Sequence, residues 1–156
     1  MHKVQPDVGA LIAWTLNLNN KKIQFINGMA ANDPVSTLQI WKFIMDRYVN
    51  SEGTCIFFNS RDDRPSRTMQ MIELTFQEIK PDYFFIRGDK VKKTIDQYIN
   101  HSPKTNIEII GLENPFEDVI SNFRNLPDNT LIYAIGNQVG AGQEILKKVS
   151  EYKYNG

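Results

Sequence analysis

The chain has 156 residues, in which 18 Lys and Arg balance 18 Asp and Glu, so the formal net charge is zero. That length suits one domain with a real core. The balance gives no bulk electrostatic argument for a nucleic-acid or anionic-membrane partner. One Cys and two His exclude an intrachain disulfide and supply no metal-ligand cluster. No stretch is apolar for long enough to span a bilayer, no charged-then-apolar leader opens the chain, and a reducing compartment is expected.

Residues 1–9 read as a polar arm or linker containing His2, and residues 10–156 as a single domain. A strand is expected over 10–18, a turn over 17–21, and a second strand over 23–27. Residues 34–48 read as a helix. Asn32 or Asp33 can cap it, Pro34 suits its first turn, and Leu38, Trp41, Ile44 and Met45 recur at helical spacing. Residues 54–59 form a continuous apolar run, as in a strand covered on both faces. Cys55 lies in that run and reads as a small core residue rather than a nucleophile.

The alternation then continues. A helix is expected over 64–79, with Met69, Ile72, Leu74 and Phe76 inward, ended by Pro81. Strand 83–86 precedes a helix over 89–100 with Val91, Ile95 and Ile99 on one stripe. Strand 106–110 precedes a helix opened by Asn114-Pro115 and running to 123. Strand 130–135 precedes a last helix over 141–152. Strands alternating with helices predict an α/β fold: a Rossmann-like, mainly parallel sheet flanked by helices, with right-handed crossovers.

Three loops follow apolar strands and open helices, so all three fall at the carboxyl edge of the expected sheet, where ligands gather. The first runs over 27–37. A small-residue turn ahead of a helix N-terminus is a ready anion site, and Gly28, Ala30 and Ala31 permit close backbone approach. The same pattern also describes an ordinary capped turn. Asp33 reads first as the cap, with a ribose or ammonium acceptor or a metal ligand as alternatives.

The second loop, 59–67, carries Arg61, Arg64 and Arg67. Arg64 and Arg67 share a helical face, and guanidinium forks suit carboxylate or phosphate. Asp62 and Asp63 offer a blander role as surface partners. Cations at a helix N-terminus oppose the dipole, which favours anion binding. The third loop, Gly136-x-x-x-Gly140-x-Gly142, lacks the Gly-Lys-Ser/Thr ending of a phosphate loop, and no such sequence occurs elsewhere in the chain. Glu144 reads as a first-turn helix acid. With only His2 and His101 available, no Ser-His-Asp set can be built.

The three segments Asn27-Gly28-Met29-Ala30-Ala31-Asn32-Asp33-Pro34-x-Ser36-Thr37 (leading to Ile40-Trp41-Lys42), Asn59-Ser60-Arg61-Asp62-Asp63-Arg64-Pro65-Ser66-Arg67 and Gly136-Asn137-Gln138-Val139-Gly140-Ala141-Gly142 together resemble the C-terminal part of poly-γ-glutamate synthases. These are amide ligases related to the Mur ligases and folylpolyglutamate synthase. The resemblance covers about residues 5–152, and only the last part of the family's enzyme.

It implies a C-terminal domain that closes over an ATP-binding central domain of the same ligase. There ATP phosphorylates a carboxylate, and an amine attacks the acyl phosphate to form an amide. ATP and Mg2+ are then held mainly by the domain that carries the phosphate loop. By motif, Asn27, Gly28, Asp33, Gly136, Asn137 and Gln138 face the cofactor. Arg61, Arg64, Arg67, Asn32, Ser36 and Thr37 face glutamate or poly-γ-glutamate, and Asp33 is the one candidate for a catalytic role. Related ligases carry an arginine just after the hinge, and residues 6–13 hold none. Implied partners are the ATPase domain and the membrane subunits of the synthase complex, on the cytoplasmic side, with no nucleic acid. The domain alone is expected to be inactive. The alternative is a freestanding Rossmann-like module that binds an anion or nucleotide, or serves complex assembly, without catalysis.

Overall fold

The computed structural model describes residues 12–31, 33–48 and 50–154. The expected arm at 1–9, the first two residues of the expected strand 10–18, and Asn32 lie outside these. Among the described residues six strands form one sheet: β1 (Ile12–Leu18), β2 (Lys21–Asn27), β3 (Gly53–Asn59), β4 (Tyr83–Arg87), β5 (Asn106–Ile110) and β6 (Thr130–Gly136). Their order is β1-β2-β6-β3-β4-β5. β1 runs antiparallel to β2, and every other neighbouring pair is parallel. The β1–β2 turn uses Asn19 and Asn20, both at positive φ, as a two-residue hairpin requires.

Five α-helices fill the connections: α1 (Pro34–Arg47), α2 (Pro65–Leu74), α3 (Lys92–Tyr98), α4 (Glu117–Arg124) and α5 (Ala141–Ser150). Period-two alternation divides each central strand between two cores. Ile56, Phe58, Phe84, Ile86, Leu131, Tyr133 and Ile135 meet α1, α2 and α3. Cys55, Phe57, Phe85, Ile132 and Ala134 meet α4 and α5. With helices on both faces, β6 is buried at every position, which is why it reads as an unbroken apolar run.

Helix α1 begins as its sequence dictates. Asp33 is extended at φ −101°, ψ 153°, its carboxylate accepts from the Ser36 N–H, and Pro34 stands at the first position. Thr37, Ile40, Trp41 and Ile44 form the buried stripe. The expected helix 64–79 is α2 continued by a π-helical turn, Thr75–Ile79, in which Lys80 N–H reaches the Thr75 carbonyl at 2.8 Å. Its buried residues are Thr68, Met71, Ile72, Leu74, Thr75, Phe76 and Ile79. Met69, expected inward, is 42% exposed. The two threonines complete the helical period, and a count of apolar residues alone passes over them.

Three helices are shorter than expected. α3 starts at Lys92 and gives way to a 3-10 turn over Ile99–His101. α4 starts at Glu117, with Pro115 in the preceding turn. α5 stops at Ser150. The segment after α5 then lies along β1: Asn17 N–H donates to the Tyr152 carbonyl, and Tyr154 N–H donates to the Thr15 carbonyl. This covers part of an otherwise open sheet edge.

Register decides where the site lies. Gly136, Asn59, Arg87 and Ile110 are successive partners across β6, β3, β4 and β5, so these strands end in one row. From that row β3 leads to α2 on one face, while β6 leads to α5 on the other. Neighbouring strands whose helices leave to opposite faces open a crevice between their ends.

Candidate functional site

The loop after β2 is packed from within. The Asn27 carboxamide oxygen accepts from Met29 N–H at 3.0 Å, and Gly28 N–H donates to the Ala134 carbonyl at 2.8 Å. A Cβ built on Gly28 would stand 2.2 Å from the Tyr133 ring. Close approach is therefore required here, as the sequence suggests, but the approaching group is Tyr133 and not a ligand. Thr37, expected to touch substrate, is fully buried. Its hydroxyl donates to the Ala31 carbonyl at 3.0 Å, and its own carbonyl accepts from the Tyr133 phenol at 3.1 Å. Burial, then the Asp33 charge, pushes that phenol above its ordinary range and keeps it a donor. Ser36 contributes its backbone N–H to the cap.

Asp33 remains half-exposed. The Ser36 N–H holds its carboxyl below the usual range, against a smaller opposing effect of burial, and the field of Arg67 adds to the lowering.

The second loop starts from two buried polar residues. Ser60 N–H and hydroxyl both donate to the Arg87 carbonyl, at 3.0 and 2.7 Å. Asn59 is 1% exposed. Beyond them Arg61 grips Asp63 with two bonds, Nε to Oδ1 at 2.9 Å and Nη2 to Oδ2 at 2.7 Å. That contact raises the Arg61 pKa and lowers that of Asp63. Arg64 occupies the position before α2 without a side-chain cap bond, and none of the salt bridges among the described residues uses it.

The third loop closes onto the second. Asn137 N–H donates to the Asn59 carbonyl, and the Asn59 side-chain amide donates to the Asn137 carbonyl, both at 2.8 Å. Gly136 has φ +102°, and a Cβ there would meet the Asn59 carbonyl at 2.4 Å. A Cβ on Gly142 would stand 2.3 Å from the Asn137 carbonyl. These glycines let strand, loop and α5 pack without side chains between them.

Between the second and third loops lies a cleft. It is lined by Arg61, Arg64 and Arg67, by Asn59, Gly136 and Asn137, and by the apolar Phe58 and Met71. The structure therefore brings together three arginines and the glycine loop that are far apart in sequence. Gln138, by contrast, keeps its carboxamide oxygen buried, with no hydrogen-bond partner among the described residues. Asn59, which lines the cleft, and Arg87, which bonds it from behind, are not singled out by the motif reading. The available signal was a polar residue closing an otherwise apolar strand, in Phe57-Phe58-Asn59 and in Phe85-Ile86-Arg87. Such a cleft can hold a small anion, a carboxylate or a phosphate, by charge-assisted hydrogen bonds over an apolar floor. Among the described residues no group of three His, Cys, Asp or Glu could hold a metal ion.

The family model of the poly-gamma-glutamate synthase CapB C-terminal domain matches residues 14–152. The chain belongs to this CapB C-terminal domain family. It is 27% identical to PGA synthase CapB of Bacillus subtilis (strain 168) over 154 residues, 98% of this chain and 39% of that protein. It is 28% identical to capsule biosynthesis protein CapB of Bacillus anthracis over 152 residues, 97% of this chain and 32% of that protein. The chain therefore spans about a third to two-fifths of these relatives. Two solved structures share the fold. One is a domain assigned to a UDP-N-acetylmuramate:L-alanyl-gamma-D-glutamyl-diaminopimelate ligase from Haemophilus ducreyi 35000HP, with TM-score 0.54 and 14% identity over 86% of this chain and 91% of that one. The other is the UDP-N-acetylmuramate-alanine ligase MurC from Thermotoga maritima, with TM-score 0.54 and 11% identity over 85% of this chain and 28% of that one. The CapB C-terminal domain thus has the α/β fold of Mur ligase domains, as the sequence led us to expect.

Proposed function

We propose that this CapB-type domain is the glutamate-holding part of an ATP-dependent amide ligase that extends poly-γ-glutamate. The observation that carries the reading is the convergence of Arg61, Arg64 and Arg67 on one cleft at the switch point of the sheet. A glutamate chain is rich in carboxylates, and a guanidinium holds a carboxylate with two directed bonds. The pocket anchors one carboxylate so that the amine of an incoming glutamate, or the end of the polymer, is presented at the edge of the sheet. Asp33, whose carboxylate caps α1 through Ser36 N–H at 2.9 Å, is the acidic group this reading assigns to the amine.

On this reading ATP would supply the phosphoryl group that activates a carboxylate for attack by the amine. The described residues do not fit ATP phosphates or Mg2+ as a self-contained site: there is no Gly-Lys-Ser/Thr sequence and no carboxylate cluster. Those groups belong to a partner ATPase domain of the same ligase, and this domain alone is inactive. Assembly with membrane subunits on the cytoplasmic face of a membrane fits a polymer that leaves the cell. No helix among the described residues is long and apolar enough to cross a membrane.

The test is a titration of the chain with L- and D-glutamate and short γ-glutamyl peptides, followed by backbone amide shifts. Saturable shifts at residues 59–67 and 136–142, lost in Arg64→Gln, are expected. Shifts confined to other surfaces, or none at millimolar ligand, would reject the carboxylate pocket.

A further inference from the structure

Arg87 is a cation in a place where cations are expensive. It closes β4 and is 7% exposed, and none of the salt bridges among the described residues includes it. Its partners are neutral. Nη1 donates to the Asn59 carboxamide oxygen at 3.1 Å, and Nη2 donates to the Leu112 carbonyl at 3.2 Å. The guanidinium lies 5.2 Å from the Phe116 ring centroid, and among the described residues its Nε–H has no partner. Asp89 is the acidic group near enough to be felt, and its carboxylate is engaged by Leu112 N–H at 2.9 Å. A methionine or leucine would fill an apolar site at the end of β4 without this desolvation cost.

What the guanidinium achieves is orientation. It donates only, so it selects the oxygen of Asn59. The Asn59 nitrogen is thereby turned to the Asn137 carbonyl at 2.8 Å. The backbone returns the contact, Asn137 N–H to the Asn59 carbonyl. Arg87, Asn59 and Asn137 form a single relay from β4 across β3 to the loop after β6, and that loop is one wall of the arginine cleft. The second arm of Arg87 ties in the loop after β5 through Leu112. One buried side chain therefore holds three of the loops at the carboxyl edge.

We infer that Arg87 is a positioning residue: it fixes the Asn59 amide and, through it, the Gly136–Asn137 wall, so that the cleft is shaped before an anion enters. The assignment rests on the cleft being the glutamate pocket, and it adds a residue that never touches the glutamate. Preorganisation of this kind lowers the ordering that binding would otherwise require.

Amide hydrogen exchange and side-chain amide spectra of the whole chain test it. In Arg87→Met, the Asn59 side-chain resonances should move. Exchange at Asn137 should rise about tenfold or more, the equivalent of one hydrogen bond to a charged group. Exchange at Phe25 and Ile132, in the centre of the sheet, should stay within about twofold, the signature of local rather than global opening. Asn59→Asp is the second variant. It keeps an acceptor for Arg87 but removes the donor to Asn137, so it should release Asn137 to a similar extent with Arg87 in place. It isolates the Asn59–Asn137 bond; Arg87→Lys, which keeps the charge but loses the fork that reaches both Asn59 and Leu112, should also raise exchange at Asn137 and carries the test of Arg87 if Arg87→Met does not fold. Unchanged exchange at Asn137 in the folded variants, or an equal rise at Asn137 and Ile132, would overturn the inference. Glutamate affinity should fall in Arg87→Met without loss of the responding residues. A wild-type chain that ignores glutamate rejects the pocket reading, and the exchange at Asn137 still decides the role of Arg87.

Discussion

The ring of Tyr133 stands where a side chain at Gly28 would have to be, 2.2 Å from the ideal Cβ position. The phenol then reaches the Thr37 carbonyl at 3.1 Å, and the ring stacks on Trp41 with centroids 5.8 Å apart. One aromatic residue of β6 therefore sets the height of the first loop and the seat of α1.

It follows that Gly28 is held by packing. Gly28→Ala should destabilise the domain by ~1–3 kcal/mol, the usual effect of overfilling a core, and Gly28→Val by more. Denaturant melts of the two variants check this. Wild-type stability in Gly28→Ala would show that the Tyr133 ring has room to move aside.

Asp33 caps α1 through Ser36 N–H at 2.9 Å, so Asp33→Ala should cost about 1 kcal/mol at neutral pH. The sign of its pH dependence follows from the lowered pKa. The carboxylate's contribution is complete above the unfolded value of about 3.9, and it is lost as pH falls through the lower folded value. The stability gap between wild type and Asp33→Ala should therefore narrow below about pH 4. A gap that stays constant down to pH 2 would mean that the charged form of Asp33 adds nothing.

The three arginines are not equivalent. Arg61 is already engaged on both donor arms by Asp63, whereas Arg64 is in no salt bridge among the described residues. If the cleft holds glutamate, Arg64→Lys should weaken binding about tenfold or more, because the charge remains but the fork is lost. Arg61→Lys should do less, and Asp63→Asn should strengthen binding by releasing Arg61. Isothermal titration with glutamate ranks the three. Equal affinities throughout would remove the cluster from the binding site.

Cys55 is fully buried in β3, and burial pushes its thiol well above the ordinary range. It should resist thiol-specific reagents at pH 8 in the native chain and react fully once unfolded. Rapid native labelling would show that β3 opens far more often than a central strand should.

Much of this protein was determined by the sequence alone. Apolar runs such as Cys55-Ile56-Phe57-Phe58 specify strands buried on both faces, and Asp33-Pro34 specifies a helix start, because these signals are local. The order of three motifs was enough for the CapB family. Tertiary structure decided what each motif residue touches. Gly28 looked open until β6 placed Tyr133 over it, and Thr37 looked available until that same tyrosine and Ala31 claimed it. The arginine cleft exists because β6 is inserted between β2 and β3, an arrangement that no short stretch encodes. The sequence marks Arg87 as a polar end to an apolar strand but not what it holds: its partners Asn59 and Leu112 are 28 and 25 residues away, and only the register of three strands brings them together.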